Sequence, residues 1–139
     1  MKKASLIFIV LITLLQSCNT KAQNKMEQKE FVKTFISDYN KYGMDIQSAG
    51  MANIPIATFS VNGALYIEYA YNSEGEKRNG KMTLLLNPKT NRFEGGWKTV
   101  ADNGNVYQGN LYFLFEKDGQ ATGFYQFGGT DYKITIFEQ

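Results

Sequence analysis

The single cysteine, Cys18, is the one soft nucleophile in the chain, and no histidine stands anywhere to serve as its base. Thiol catalysis and histidine acid–base chemistry both depend on such a partner, so neither is expected, nor is a metal site built on imidazole. The remaining acid–base candidates are carboxylates. Glu68 and Glu94 fall inside alternating runs, where an acid on the solvent face is ordinary, and glycoside-type chemistry would need two of them to converge at about 5 to 9 Å. "NSEGEK" and "ADNGNV" set oxygen ligands beside glycine, but they lack the ligand alternation and closing glutamate of a calcium loop. Turn chemistry accounts for both. No catalytic residue, metal or cofactor is assigned, and the chain is expected to be non-enzymatic.

Recognition chemistry is better supplied. Period-two alternation places Tyr69, Tyr71, Trp97 and Tyr125 on one side of their strands and Tyr66, Tyr112 and Phe124 on the other. The first four are candidate ligand-lining residues for a small hydrophobic molecule; the alternative is that rings of this size fill the core themselves. The second three form a candidate partner patch, or the place where a helix docks.

These side chains must be positioned by a mainly β fold with one N-terminal helix. Asn24 and Glu27 make a capping-box pattern, and Phe31, Val32, Phe35, Ile36 and Tyr39 recur at helical spacing, so a helix is predicted over 26–42 with Gly43 as its stop. Its polar face mixes acids with lysines, which suits packing on the protein's own sheet as a structural lid better than lying on a membrane. Residues 43–54 read as a loop. After Pro55 the period becomes two, in runs at 55–61, 64–71, 81–86, 92–100, 106–116, 120–127 and 132–138. Short punctuation between them predicts a seven-stranded antiparallel up-and-down meander forming a small barrel or strongly curved sheet.

Register can be tested at "KDG" (117–119). A three-residue turn with a glycine bulge pairs Leu111 with Tyr125 and Phe113 with Gly123. It puts Leu111, Phe113, Phe115, Tyr125 and Phe127 inside and leaves Tyr112 beside Phe124 outside; a one-residue slip would reverse every face. In "FEGGW", "YQGNL" and "ATGFY", Gly95, Gly109 and Gly123 each stand two residues before Trp97, Leu111 or Tyr125. Such glycines let a sheet bend or let a ring lie on the backbone. Over about residues 91–127 this pattern loosely resembles the small antiparallel barrels of avidin-like and lipocalin-like proteins, a resemblance that implies a shape.

The N-terminus has a different character. Lys2 and Lys3 precede an apolar run from Leu6 to Leu15 that is too short to span a bilayer and has the form of a secretory signal peptide. Leu15-Gln16-Ser17-Cys18 resembles the lipobox of bacterial lipoproteins, with Gln16 where a small residue is usual. The resemblance implies cleavage before Cys18, a diacylglycerol on its sulfur and an acylated amino terminus. The expected organisation is a signal peptide at 1–17, a lipid-anchored polar tether at 18–25 and one domain at 26–139. Removing Lys2 and Lys3 takes the 15 basic side chains to 13, equal to the 13 acidic ones, which leaves no electrostatic footprint for nucleic acid. Asn19 stands where the resembled lipoproteins carry the aspartate of inner-membrane retention, so the expected location is the cell envelope, at the outer membrane facing the periplasm. The expected partners are the membrane through the lipid and either a protein or envelope component, in an accessory, inhibitor or immunity role, or a small hydrophobic ligand. A carboxylate-dependent enzyme is the remaining alternative.

Overall fold

Two-residue turns set the topology. Asn62-Gly63, Glu74-Gly75 and Gly128-Gly129 all adopt positive φ, the twist-matched geometry that folds a strand directly back on its predecessor. In the computed structural model, which describes Val32, Lys33, Phe35, Ile36, 41–116 and 120–139, these turns help link eight strands. They are β1 (Tyr42–Ile46), β2 (Met51–Val61), β3 (Ala64–Ser73), β4 (Glu76–Asn87), β5 (Arg92–Ala101), β6 (Val106–Phe115), β7 (Ala121–Phe127) and β8 (Thr130–Glu138). Every neighbour is antiparallel, and β1 pairs with β8 to close the barrel.

The expected seven strands are therefore corrected to eight. The missed strand is β1, which runs through the predicted loop at 43–54; Tyr42 and Gly43, read as helix end and stop, pair with Glu138 and Phe137. Tyr42, Met44 and Ile46 alternate inward and are buried, so the period was two here as well. Strand β2 begins at Met51, before Pro55, which pairs with Gly43 on β1 but stands outside the β2–β3 ladder, whose pairing begins at Ile56 and Tyr69. Strand β4 begins at Glu76, inside the "NSEGEKRNG" segment read as punctuation. The bulged register is the observed one: Leu111 faces Tyr125 and Phe113 faces Gly123. The Glu116 N–H donates to the Gln120 carbonyl at 2.7 Å across the connection, while Lys117, Asp118 and Gly119 lie outside the described residues.

The expected helix over 26–42 lies largely outside the described residues, as do the expected signal peptide at 1–17, Cys18 and the expected tether at 18–25. Val32, Lys33, Phe35 and Ile36 have helical backbone, with Val32 and Ile36 packed against the core and Phe35 fully buried. Phe35 seats edge-on against Tyr42 at 4.7 Å and Phe115 at 5.4 Å, and Phe115 meets Phe93 at 5.2 Å. The Thr58 hydroxyl donates to the Phe35 carbonyl at 3.0 Å. Rings thus plug the end of the barrel where the chain enters.

Inward positions of the midsection are aliphatic or aromatic, among them Leu65, Ile67, Met82, Leu84, Phe113, Ile134 and Ile136, all essentially inaccessible. Outward positions carry Glu68, Asn79, Lys81, Lys98, Gln108 and Lys133 beside exposed Leu85, Val100 and Leu114, so the interior is apolar and the exterior mixed. Among the described residues no helix is long and apolar enough to cross a membrane.

Candidate functional site

The end opposite the Phe35 plug is a cup. Its wall is raised where β3, β4, β5, β6, β7 and β8 reach the rim, and it encloses a cavity of about 140 Å³. Tyr69, Tyr71, Trp97 and Tyr125 all line this one space, together with Arg78 and Tyr107. The rings touch in two groups. Tyr69 stacks on Tyr71 at 6.1 Å, Trp97 meets Tyr125 edge-on at 5.3 Å, and Phe127 bridges Trp97 and Tyr107 at 6.1 and 6.0 Å. Phe127 sits at the lip with 44% of its surface exposed, whereas Trp97 is 9% exposed. The inward placement predicted for Phe127 is thus a rim position.

A break in the ladder gives the cup its shape. Strands β6 and β7 pair only from Leu111/Tyr125 to Phe115/Ala121, so the rim half of β6 has no ladder partner on β7. The Trp97 indole fills the seam, its N–H donating to the Gln126 carbonyl at 3.2 Å. Over the other side of the mouth lies the short 3-10 helix Gln47–Ala49, from which the Ser48 hydroxyl is hydrogen-bonded to the Tyr125 hydroxyl.

Two tyrosine hydroxyls in the wall are therefore already engaged, Tyr125 with Ser48 and Tyr69 with Thr99 at 3.0 Å. Burial pushes the Tyr69 hydroxyl up to about 12 against the opposing pull of the Thr99 bond, and burial raises Tyr125 against the Ser48 bond. An unfolded tyrosine ionises near 10, so the neutral Tyr69 contributes stability that is fully present below about pH 10 and is lost as pH rises to about 12. At about 1.4 kcal/mol per unit, the loss approaches 2–3 kcal/mol. Urea unfolding at pH 8 and pH 11.5 is expected to show this drop in the wild type and a smaller one in Tyr69→Phe. An equal drop in both would assign the alkaline sensitivity to other groups.

Arg78 is the member of the cup that sequence reasoning missed. It points inward from β4, paired across to Tyr71 on β3 and Ala101 on β5, with its guanidinium 5.1 Å from the Tyr107 ring centre. Read as part of a turn, its segment hid the signal that Arg78, Gly80 and Met82 continue the inward alternation of Leu84 and Leu86. Gly80 belongs to the same device: a Cβ there would overlap the Tyr69 ring, so glycine is what lets Tyr69 lie across β4.

The outer residues do not form one patch. Tyr112 and Phe124 sit side by side with ring centres at 5.7 Å, and the Arg92 guanidinium lies 4.2 Å over Tyr112. Tyr66 stacks instead on Phe59 at 5.0 Å with Lys81 4.9 Å above it. Strands β4 and β5 separate the two groups, about 14 Å at ~4.8 Å per strand. The described part of the N-terminal segment covers neither, because Phe35 enters the barrel end. Glu68 is paired with Lys81 at 3.7 Å. Glu94 accepts from Thr90 at 2.6 Å and Asn87 at 2.8 Å, bonds that, with Arg92 beside them, hold its carboxyl below the usual range. Both acids lie on the outer face, on β3 and β5. Among the described residues no group of three or more acids, cysteines or histidines is placed to hold a metal.

Fold and site together define a closed eight-stranded up-and-down barrel, plugged at one end and cupped by aromatic rings at the other. No protein-family model, curated protein or solved structure gives a significant match to the chain, so its functional reading rests on its own residues.

Proposed function

We propose that this chain is a lipid-anchored, non-enzymatic binding protein of the cell envelope whose barrel mouth takes up a small, ring-sized apolar group. One observation carries the reading: four aromatic side chains from β3, β5 and β7, with Tyr107 and Arg78, converge on one cavity while the rest of the barrel is filled. At about 140 Å³ the space is well below that of a drug-sized pocket but matches cavities of ~150 Å³ that accept benzene. It suits a single ring or short chain.

Trp97 is the only tryptophan, and it lies in the cavity wall, so one indole N–H resonance reports occupancy. Titration with benzyl alcohol is expected to shift that resonance saturably, with Tyr71 and Tyr125 signals moving alongside. A resonance that stays fixed up to the solubility limit would remove the ligand reading.

The anchor part rests on the lipobox resemblance of Leu15-Gln16-Ser17-Cys18. Cys18→Ala is expected to abolish incorporation of labelled palmitate and move the protein out of the membrane fraction, with the barrel's unfolding midpoint unchanged. Continued labelling of the variant would sink the assignment. The chain enters the barrel at the plugged end, which leaves the cup at the far end from that entry point.

A second reading, contact with a protein or envelope component in an accessory, inhibitor or immunity role, is favoured by Tyr112, Phe124 and Arg92. They line an outer groove beside Asn110 and Asp131, and the buried Arg92 Nε has no partner. Cross-linking from Phe124 in native membranes tests it: a discrete adduct supports the reading, and its absence alongside a normal ring-binding response leaves the cup as the functional surface.

A further inference from the structure

The geometry points to an anionic head group on the ligand of the cup, a carboxylate held by Arg78 at the mouth while an apolar ring lies against Trp97 and Met82. This inference rests on the ligand-binding reading proposed above. Arg78 is the one charged side chain among the ten residues that line the cavity. Its side chain is only 18% exposed, and its Nε is buried without a partner. An unmet charged donor in such a place carries a desolvation cost that a suitable acceptor would remove.

The existing partners of Arg78 do not discharge it. Glu74 approaches one terminal nitrogen at 3.6 Å, but the Glu74 carboxylate side chain is 87% exposed, and an ion pair so solvated is weak. Tyr107 supplies a ring face at 5.1 Å, which orients the guanidinium plane without accepting its in-plane hydrogens. Neither spends the Nε donor. An arginine lying against an aromatic face, with only a solvent-exposed acid on one terminal nitrogen, matches a planar carboxylate, which accepts two parallel hydrogen bonds.

The polar inventory of the wall argues the same way. The Tyr69 and Tyr125 hydroxyls are committed to Thr99 and Ser48, so the groups left to meet a ligand are Arg78 and the Tyr71 and Tyr107 hydroxyls, donors that suit an anion. A cation would be drawn to a cage of rings, but here it would face the Arg78 charge with no acid among the lining residues to offset it. The ring-sized volume then sets the body: one aromatic ring or a short chain fills the cavity, and the carboxylate is left at the rim beside Arg78.

Benzoate and benzyl alcohol separate the head group from the ring. Both are titrated into the full chain at neutral pH and low salt, with the Trp97 indole N–H resonance as the readout, in the wild type and in Arg78→Met. Benzoate is expected to bind about tenfold or more tightly than benzyl alcohol in the wild type, the effect of one charge-assisted pair in a sheltered site. Raising the salt narrows that preference, and Arg78→Met abolishes it, so that benzoate binds the variant no more tightly than benzyl alcohol does.

Equal wild-type affinities, or a benzoate preference that survives Arg78→Met, overturn the anionic head group and leave the ring-binding cup standing. Failure of both probes to shift the resonance overturns the cup itself and the head group with it. The wild-type comparison and its salt dependence decide the matter even where Arg78→Met does not fold, because neither requires the variant.

Discussion

Phe35→Ala is expected to lower the unfolding free energy by roughly 3–5 kcal/mol, the usual cost of truncating a buried phenylalanine where the cavity cannot collapse. Phe35 has no accessible surface and is held by Tyr42 and Phe115, whose rings are themselves fixed by β1 and β6. A closed barrel end cannot relax inward without breaking strand pairs. Domains of this size are stable by about 5–15 kcal/mol in total, so the variant should melt more than ~10 °C lower. Phe35→Leu, which keeps most of the volume, is expected to lose about 1–2 kcal/mol. The Thr58 bond to the Phe35 carbonyl survives both changes, so the difference between them reads the side chain alone. Thermal unfolding followed at Trp97 is the measurement, since Trp97 lies at the opposite end and reports only a global transition. A midpoint unchanged in Phe35→Ala would mean that the segment before β1 is a tether and that the barrel seals without it.

What the sequence revealed and what it hid divide along one physical line. Faces were legible wherever apolar residues alternate with polar ones: Leu65, Ile67, Tyr69 and Tyr71 point inward together, and the bulged register at Leu111/Tyr125 follows from keeping polar and apolar faces apart. The convergence of Tyr69, Tyr71, Trp97 and Tyr125 on one cavity follows from the same alternation. Alternation fails as a guide where an inward position is polar or lacks a side chain. Arg78 and Gly80 occupy inward positions of β4 at the rim, and there the pattern of a strand looks like that of a turn. Strand β1 was hidden for a second reason. Gly43, extended and buried in the barrel wall, looks in sequence like the stop of the helix expected over 26–42, and only the pairing with β8 reveals its role. Closure of the barrel is a long-range fact that local period cannot carry. The scattering of Tyr66 from Tyr112 and Phe124 has the same origin, because alternation assigns a face and leaves the position around the circumference open.

Gly109→Ala is expected to cost roughly 2–4 kcal/mol and to disturb the cup, although the change adds one methyl group. The quasi-repeat of Gly95, Gly109 and Gly123 has a common steric basis: a Cβ at each would overlap a backbone carbonyl, of Thr83, Gln126 and Tyr112 respectively. Backbone atoms cannot step aside as a flexible side chain can, so the added methyl must push strands apart. At Gly109 it would also crowd the Trp97 Nε1 at 2.8 Å, against the indole's hydrogen bond to the Gln126 carbonyl at 3.2 Å. Those atoms close the seam where β6 and β7 stop pairing. Loss of that bond leaves a buried donor and acceptor to find water, adding about 1 kcal/mol or more to the overpacking. Gly96→Ala is the matched control. It lies one strand over and faces outward, and its Cβ would meet only the Gly109 carbonyl at 3.6 Å, an ordinary contact. That variant is expected to be neutral or stabilising by up to ~1 kcal/mol, since alanine narrows the unfolded ensemble without native strain. Urea midpoints measure the stability term, and the indole N–H resonance of Trp97 measures the seam. If Gly109→Ala matched Gly96→Ala in both, β6 and β7 would have slack at the rim. The cup would then owe its shape to the rings alone, and the glycine spacing would be incidental to it.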